Sequence, residues 1–153
     1  MFATPLQASQ RVKPRTTEQG ADITDQALST LPREGKGRIA PPPALTRKLK
    51  AVADAVAAWP EVEATTHWRF DQPNRVDGID FYVGSDELGH IHFNGAIHLA
   101  TSPRLCSKLV ADGLGRPFEW GQGWTVASID RLGVDGSVAL FRRNYDRLRP
   151  SNP

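Results

Sequence analysis

The chain has 153 residues, 39% of them hydrophobic and 24% charged, which fits one soluble globular domain with a polar extension and leaves no room for two full domains. A formal charge of +2 is too small a basic excess to indicate nucleic acid without a concentrated patch. The lone Cys106 forms no internal disulfide, no run approaches the roughly 18 apolar residues of a membrane helix, and the polar start has no signal-peptide core, so a cytoplasmic protein without a membrane partner is expected.

In chain order, residues 1–43 read as an extended arm. It carries Arg11, Lys13, Arg15, Arg33, Lys36 and Arg38, and one short helical candidate over 22–31 that Pro32 stops. Pro41-Pro42-Pro43 is a stiff spacer. From 44 to 59, Leu45, Leu49, Val52, Val56 and Trp59 recur in steps of four and three, which predicts an amphipathic helix closed by Pro60. Residues 61–70 should be extended, with Trp68 and Phe70 on one face and His67 and Arg69 on the other. A loop over 71–78 leads to a second strand in which Ile79, Phe81 and Val83 alternate with Asp80 and Tyr82. A turn over 85–89 and a hairpin over 90–99 follow.

Thr101-Ser102-Pro103 is a helix start, a hydroxyl cap followed by proline where a missing N–H costs nothing. Leu105, Cys106, Leu109 and Val110 form its apolar stripe, and Gly113 ends it. Residues 124–129 read as a strand. A last helix over 135–148 has Val134, Val138, Phe141, Tyr145 and Leu148 on one face, with Arg142, Arg143, Arg147 and Arg149 on the other. The expected fold is α+β, a mainly antiparallel sheet with amphipathic helices packed on one face, preceded by the extended N-terminal arm. The domain spans 44–149 and the tail 150–153.

Three of the four histidines, His90, His92 and His98, surround an Asn-Gly turn signal. Imidazole can act as base, acid or metal ligand near neutral pH. Hairpin register decides whether they act together. A two-residue turn at Asn94-Gly95 pairs Phe93 with Ala96 and puts His98 on the face opposite His90 and His92. A three-residue loop, Phe93 to Gly95, pairs His90 with His98 and gathers all three on one face. The second register is the one expected here, and with it a divalent metal on His90, His92 and His98 becomes feasible.

Read as a whole, Pro14-Arg15-Thr16-Thr17, Ala57-Ala58-Trp59-Pro60-Glu61-Val62, His67-Trp68-Arg69-Phe70, Glu87-Leu88-Gly89-His90-Ile91-His92, Ile97-His98-Leu99, Leu109-Val110-Ala111-Asp112-Gly113, Gly123-Trp124 and Leu140-Phe141-Arg142-Arg143-Asn144-Tyr145 resemble the luciferase-like family, small bacterial domains related to fungal luciferase. The likeness covers roughly 11–148. It implies an oxygen-dependent oxidoreductase, a monooxygenase or dioxygenase, acting on a small planar enolisable compound such as a hydroxypyrone without an organic cofactor. The chain departs from the family pattern where relatives carry a histidine after the helix ending at Gly113; here Arg116-Pro117-Phe118-Glu119-Trp120 stands instead.

On this reading His90, His92, Arg69 and Glu87 are the catalytic candidates. A histidine takes a proton, and Arg69 holds the anion formed. His98, His67, Trp124 and Tyr82 are the substrate-contacting candidates. The plainer alternatives are an Arg69–Glu87 pair locking two strands, a solvated Glu87 in its turn, a core Trp124 and a packing Cys106. A non-catalytic module using the basic arm and last helix is the rival reading; a histidine-ligated metal protein is the third.

Overall fold

The computed structural model describes residues 40–72 and 74–149. The arm up to residue 39, including its candidate helix, and the tail 150–153 lie outside the described residues. The end of the arm docks on the sheet: Ala40 is buried, its carbonyl accepts the Thr66 N–H at 3.2 Å, and the Pro41 carbonyl accepts the Thr66 hydroxyl.

Helix α1 is Arg47–Ala57, shorter at both ends than the 44–59 expected. Thr46 takes the extended geometry of a helix-entry residue, and the chain before it remains extended behind the prolines. At the far end Ala58 is the helical C-cap, its N–H donating to the Asp54 carbonyl at 3.1 Å, and Pro60 disfavours helical geometry at Trp59, the residue before it. Trp59 still packs, its ring 5.1 Å from that of Tyr145.

Six strands follow: β1 (Val62–Trp68), β2 (Val76–Val83), β3 (Asp86–His92), β4 (Ala96–Ala100), β5 (Arg116–Pro117) and β6 (Trp124–Ser128). They form one sheet in the order β1-β2-β3-β4-β6-β5, with every neighbouring pair antiparallel. Strand β1 is interrupted by a register shift between His67 and Trp68 and ends there. Phe70 is therefore not a strand partner of Trp68 but fully exposed in the following loop. The turn expected over 85–89 is only Gly84-Ser85, because Val83 already pairs with Asp86.

Alternation gives the sheet one apolar face. Ile79, Phe81, Val83, Ile91, Ile97, Leu99 and Ala127 pack with Leu49, Val52 and Val56 of α1 in one core. Helix α3 (Ile129–Leu148) adds Leu140, Phe141 and Tyr145; Phe141 meets Phe81 edge-on at 5.4 Å. Each fully buried aliphatic or aromatic side chain contributes about 1.5–3 kcal/mol. Helix α2 (Pro103–Ala111) begins as expected, with Ser102 Oγ accepting the Leu105 N–H at 3.2 Å. Its stripe is narrower than the sequence implied. Cys106 and Leu109 are buried but Val110 is 36% exposed, since α2 leans mainly on the short edge strand β5 and its neighbour β6.

The last helix starts six residues before the expected 135, but Gly133, with φ 71° and ψ 179°, breaks it into a first turn and a main segment. Phe141 and Tyr145 are buried while Arg142 and Arg143 remain open, as the four-three rhythm required. The deepest stripe also holds two polar residues, Ser137 and Asn144. The arginines find partners within the chain: Arg142 on Asp146, Arg143 on Asp112, Arg147 on Asn144 and the Ala100 carbonyl, and Arg149 on Glu61. These exposed pairs make a solvated, internally paired face. Among the described residues no helix is long and apolar enough to cross a membrane.

Candidate active site

The histidine hairpin takes the convergent register. His90 pairs with His98 and Ile91 with Ile97, so the loop is Phe93-Asn94-Gly95. Two local features outcompete the two-residue turn that Asn-Gly usually makes. Gly95 sits at φ 85°, the left-handed position of a three-residue loop, and donates its N–H to the His92 carbonyl at 2.9 Å. The Asn94 side chain accepts the Ala96 N–H at 3.0 Å, a side-chain turn that fixes the exit of the loop.

Register then assembles the face opposite the helices. A row of directly paired residues runs Thr65, Asp80, His90, His98, Val126 across five strands, and a second row joins His67, Gly78 and His92. All four histidines of the chain therefore share one face. His67 stacks on His90 with ring centres 3.9 Å apart and planes 12° apart. His92 stands edge-on to both at 4.9 Å, and His98 lies 5.0 Å from His90 and 4.6 Å from His92. An aromatic wall continues the group. Trp124 is 5.7 Å from His90, Phe118 is 5.1 Å from His98, and Trp120 follows Phe118 at 5.9 Å.

Three carboxylates order these rings. His67 Nδ1 lies 2.7 Å from Asp80, His90 Nδ1 lies 2.9 Å from Glu87 and 3.6 Å from Asp80, and His92 Nδ1 lies 2.7 Å from Asp77. An ionised carboxylate only accepts, so each Nδ1 carries the hydrogen and Nε2 is left as the nitrogen with the lone pair. That assignment suits a base or a metal ligand equally, and it is the outer-shell arrangement common around metal-bound histidines. Asp80 is fully buried and His67 and His90 are each 4% exposed, so the carboxylate–imidazole contacts act with little solvent screening.

Residues 85–140 match a family model described as Luciferase domain. This segment is similar to luciferase-like domains. No curated protein and no solved structure matches the chain. The matched segment carries Glu87, His90, His92, His98 and Trp124. Strands β1 and β2, outside the match, supply His67, Asp77 and Asp80.

The candidates from sequence thus divide. His90, His92, His98, His67, Glu87 and Trp124 come together. Tyr82 is buried on the same face, directly opposite Glu87. Glu87 is not in a turn: it is part of β3, its side chain 16% exposed and bonded to His90. The expected Arg69–Glu87 pair does not form. Arg69 forks onto Asp71 at 2.6 and 2.8 Å at the exposed edge. This bond raises the Arg69 pKa and holds the Asp71 carboxyl below the ordinary aspartate range, and the weaker field of Asp77 also favours the charged guanidinium. The metal trio also changes. The histidine donors lying within 4.8 Å of one another belong to His67, His90 and His92, with His98 outside that set; Asp80, Glu87 and His90 form a second such group.

Sequence reasoning passed over Asp77 and Asp80 as ligand-side groups. Asp80 alternates with Ile79 and Phe81, so its placement on the polar face was legible. Its partnership with His67, 13 residues away, required the β1–β2 register. Asp77 is 15 residues from His92 and falls in what read as a loop.

Proposed function

We propose that the histidine face is the active site of an oxygen-dependent oxidoreductase acting on a small planar enolisable compound of the hydroxypyrone kind. The observation that carries this reading is the His90–Glu87–Asp80–His67 group. It is a buried pair of stacked imidazoles with two carboxylates at their Nδ1 edges, built to accept one proton and stabilise the charge. Imidazoliums stacked at 3.9 Å would repel each other, so the pair is suited to holding a single proton. A substrate hydroxyl would pass its proton to Nε2 of His90 or His92, with Trp124 and Phe118 flanking the ring. The enolate is then the electron donor and molecular oxygen the acceptor. His98 and Tyr82 line the same face, and Arg69, held on Asp71, contributes only a rim charge.

Titration with 3-hydroxypyrones, with and without oxygen, tests this directly. Saturable binding that His90→Phe and Glu87→Gln both weaken, with oxygen consumption only in aerated samples, is the expected result. Absence of binding by every hydroxypyrone and flavonol tried overturns it.

A divalent metal on His67, His90 and His92 is a second reading, favoured by the 4.8 Å grouping of their donor atoms. Against it, an ion lies in the plane of each imidazole it binds, and two rings stacked 12° from parallel cannot both aim at one ion without a ring turning out. Metal analysis of tag-free protein discriminates. Near one equivalent per chain supports the metal, and no retention after incubation with zinc, manganese and iron(II) removes it.

A further inference from the structure

Glu87 and His90 are three residues apart, and in a regular strand such residues point to opposite faces. They meet at 2.9 Å because β3 contains one extra residue. Phe81 pairs with Gly89 but Tyr82 pairs with Glu87, leaving Leu88 between them without a partner on β2. This is a β-bulge, and it converts an odd spacing into a shared face. A bulge leaves a ladder carbonyl to be satisfied elsewhere. Here the Leu88 carbonyl accepts Nδ2 of Asn144 at 2.8 Å, from a side chain that is completely buried on α3.

The same amide donates to the Ala100 carbonyl at 3.1 Å, and Asn144 Oδ1 accepts Arg147 Nε at 2.8 Å. Arg147 also donates to the Ala100 carbonyl at 2.8 Å, so the Asn144 amide is oriented from both ends. Gly89, at φ 147°, completes the bulge. A Cβ there would stand 2.5 Å from the His98 carbonyl oxygen, too close for any side chain.

We infer that Asn144 is a positioning residue of the histidine site: through the Leu88 carbonyl it holds the bulge that brings the Glu87 carboxylate onto His90. It touches neither histidine nor substrate, and acts from the helix layer through the sheet to the opposite face. A helix-face asparagine with no apolar contribution of its own thereby sets which nitrogen of His90 carries the hydrogen.

The test uses the full chain labelled with nitrogen-15 at histidine, read by two-bond proton–nitrogen correlation, which reports the tautomer of each ring whether or not the site turns over a hydroxypyrone. In the wild type His90 should show the Nδ1–H form. Asn144→Ala should lose that signature, as should Glu87→Leu, which removes the acceptor, while His67 and His92 keep theirs. Tyr145→Phe, on the next residue of the same helix, should leave all four rings unchanged, which separates positioning from general loosening of α3. A folded Asn144→Ala protein with an unaltered His90 signature overturns the assignment. If that variant does not fold, the exposed Arg147→Ala decides. It removes the partner that orients the amide, and a partial loss confined to His90 is expected; no change overturns the assignment. Unchanged hydroxypyrone binding alongside a lost His90 signature would count against the proposed reaction and not against the role of Asn144.

Discussion

Strand β2 turns Ile79, Phe81 and Val83 toward the helices and Asp80 and Tyr82 toward the histidine face, and all five side chains are buried. The two faces reach the same burial by different means. The helix face excludes water with apolar area, which is additive and tolerant of volume-conserving change. The histidine face closes with polar groups, so its stability depends on each donor meeting its acceptor. Area accumulates gradually, whereas a matched pair is lost at a single substitution. The helix face should therefore answer to side-chain size and the histidine face to partner identity.

The largest expected effect is on the helix face. Phe141→Ala should lower stability by about 3–5 kcal/mol, since it removes an aromatic from the centre of the core. A urea midpoint equal to wild type would show that α3 is not packed on the sheet as described.

On the histidine face, Asp80→Ala should cost about 1–3 kcal/mol by leaving the buried His67 Nδ1–H without its acceptor. The combination His67→Phe with Asp80→Leu should recover most of that loss in denaturant melts, because replacing both partners of a buried polar pair by apolar groups is often neutral or better. It should also abolish hydroxypyrone binding. A double variant as unstable as the sum of the singles would mean that the two faces do not differ in the way proposed.

Tyr145→Phe probes a polar contact at the border of the helix face. Its hydroxyl donates to the Pro60 carbonyl at 3.0 Å, and removing it should cost about 1 kcal/mol, measured the same way. The smallest effect belongs to the rim. The Asp71 carboxyl is held below its ordinary value of 3.8 by its bond to Arg69, so the pair supports folding above that range, and the support fades as pH falls through the lowered value. Asp71→Asn should flatten the acid side of a stability-versus-pH curve and leave the two faces untouched. Both groups are exposed, so a change in stability at neutral pH as large as that of Tyr145→Phe would be inconsistent with this placement.

Periodicity was enough to locate three helices, the strands around the hairpin and the apolar side of each, because burial of one face imposes a period of 3.6 or 2 on the residues themselves. It also placed the arginines of α3 outward. It missed the boundaries where a proline or a glycine acts, as at Pro60 and Gly133, since those depend on one residue and not on a repeat. It misjudged Val110, whose exposure depends on how far the sheet edge at β5 and β6 extends beneath α2. In the site, a histidine cluster at the hairpin was legible from spacing, and the likeness to luciferase domains from Glu87-Leu88-Gly89-His90-Ile91-His92 and its companions.

The sequence alone determined which residue types were available for chemistry and which strands carried them, because alternation along a strand is a local property. Only the tertiary structure decided who meets whom. His67 reaches His90 through two strand pairings, and Asp77 and Asp80 reach histidines 15 and 13 residues away. Glu87 turns onto His90 through a bulge whose unpaired carbonyl is held by Asn144, 56 residues further on. Such partnerships depend on register, and register is set by the sum of long-range pairings that no single window of sequence contains.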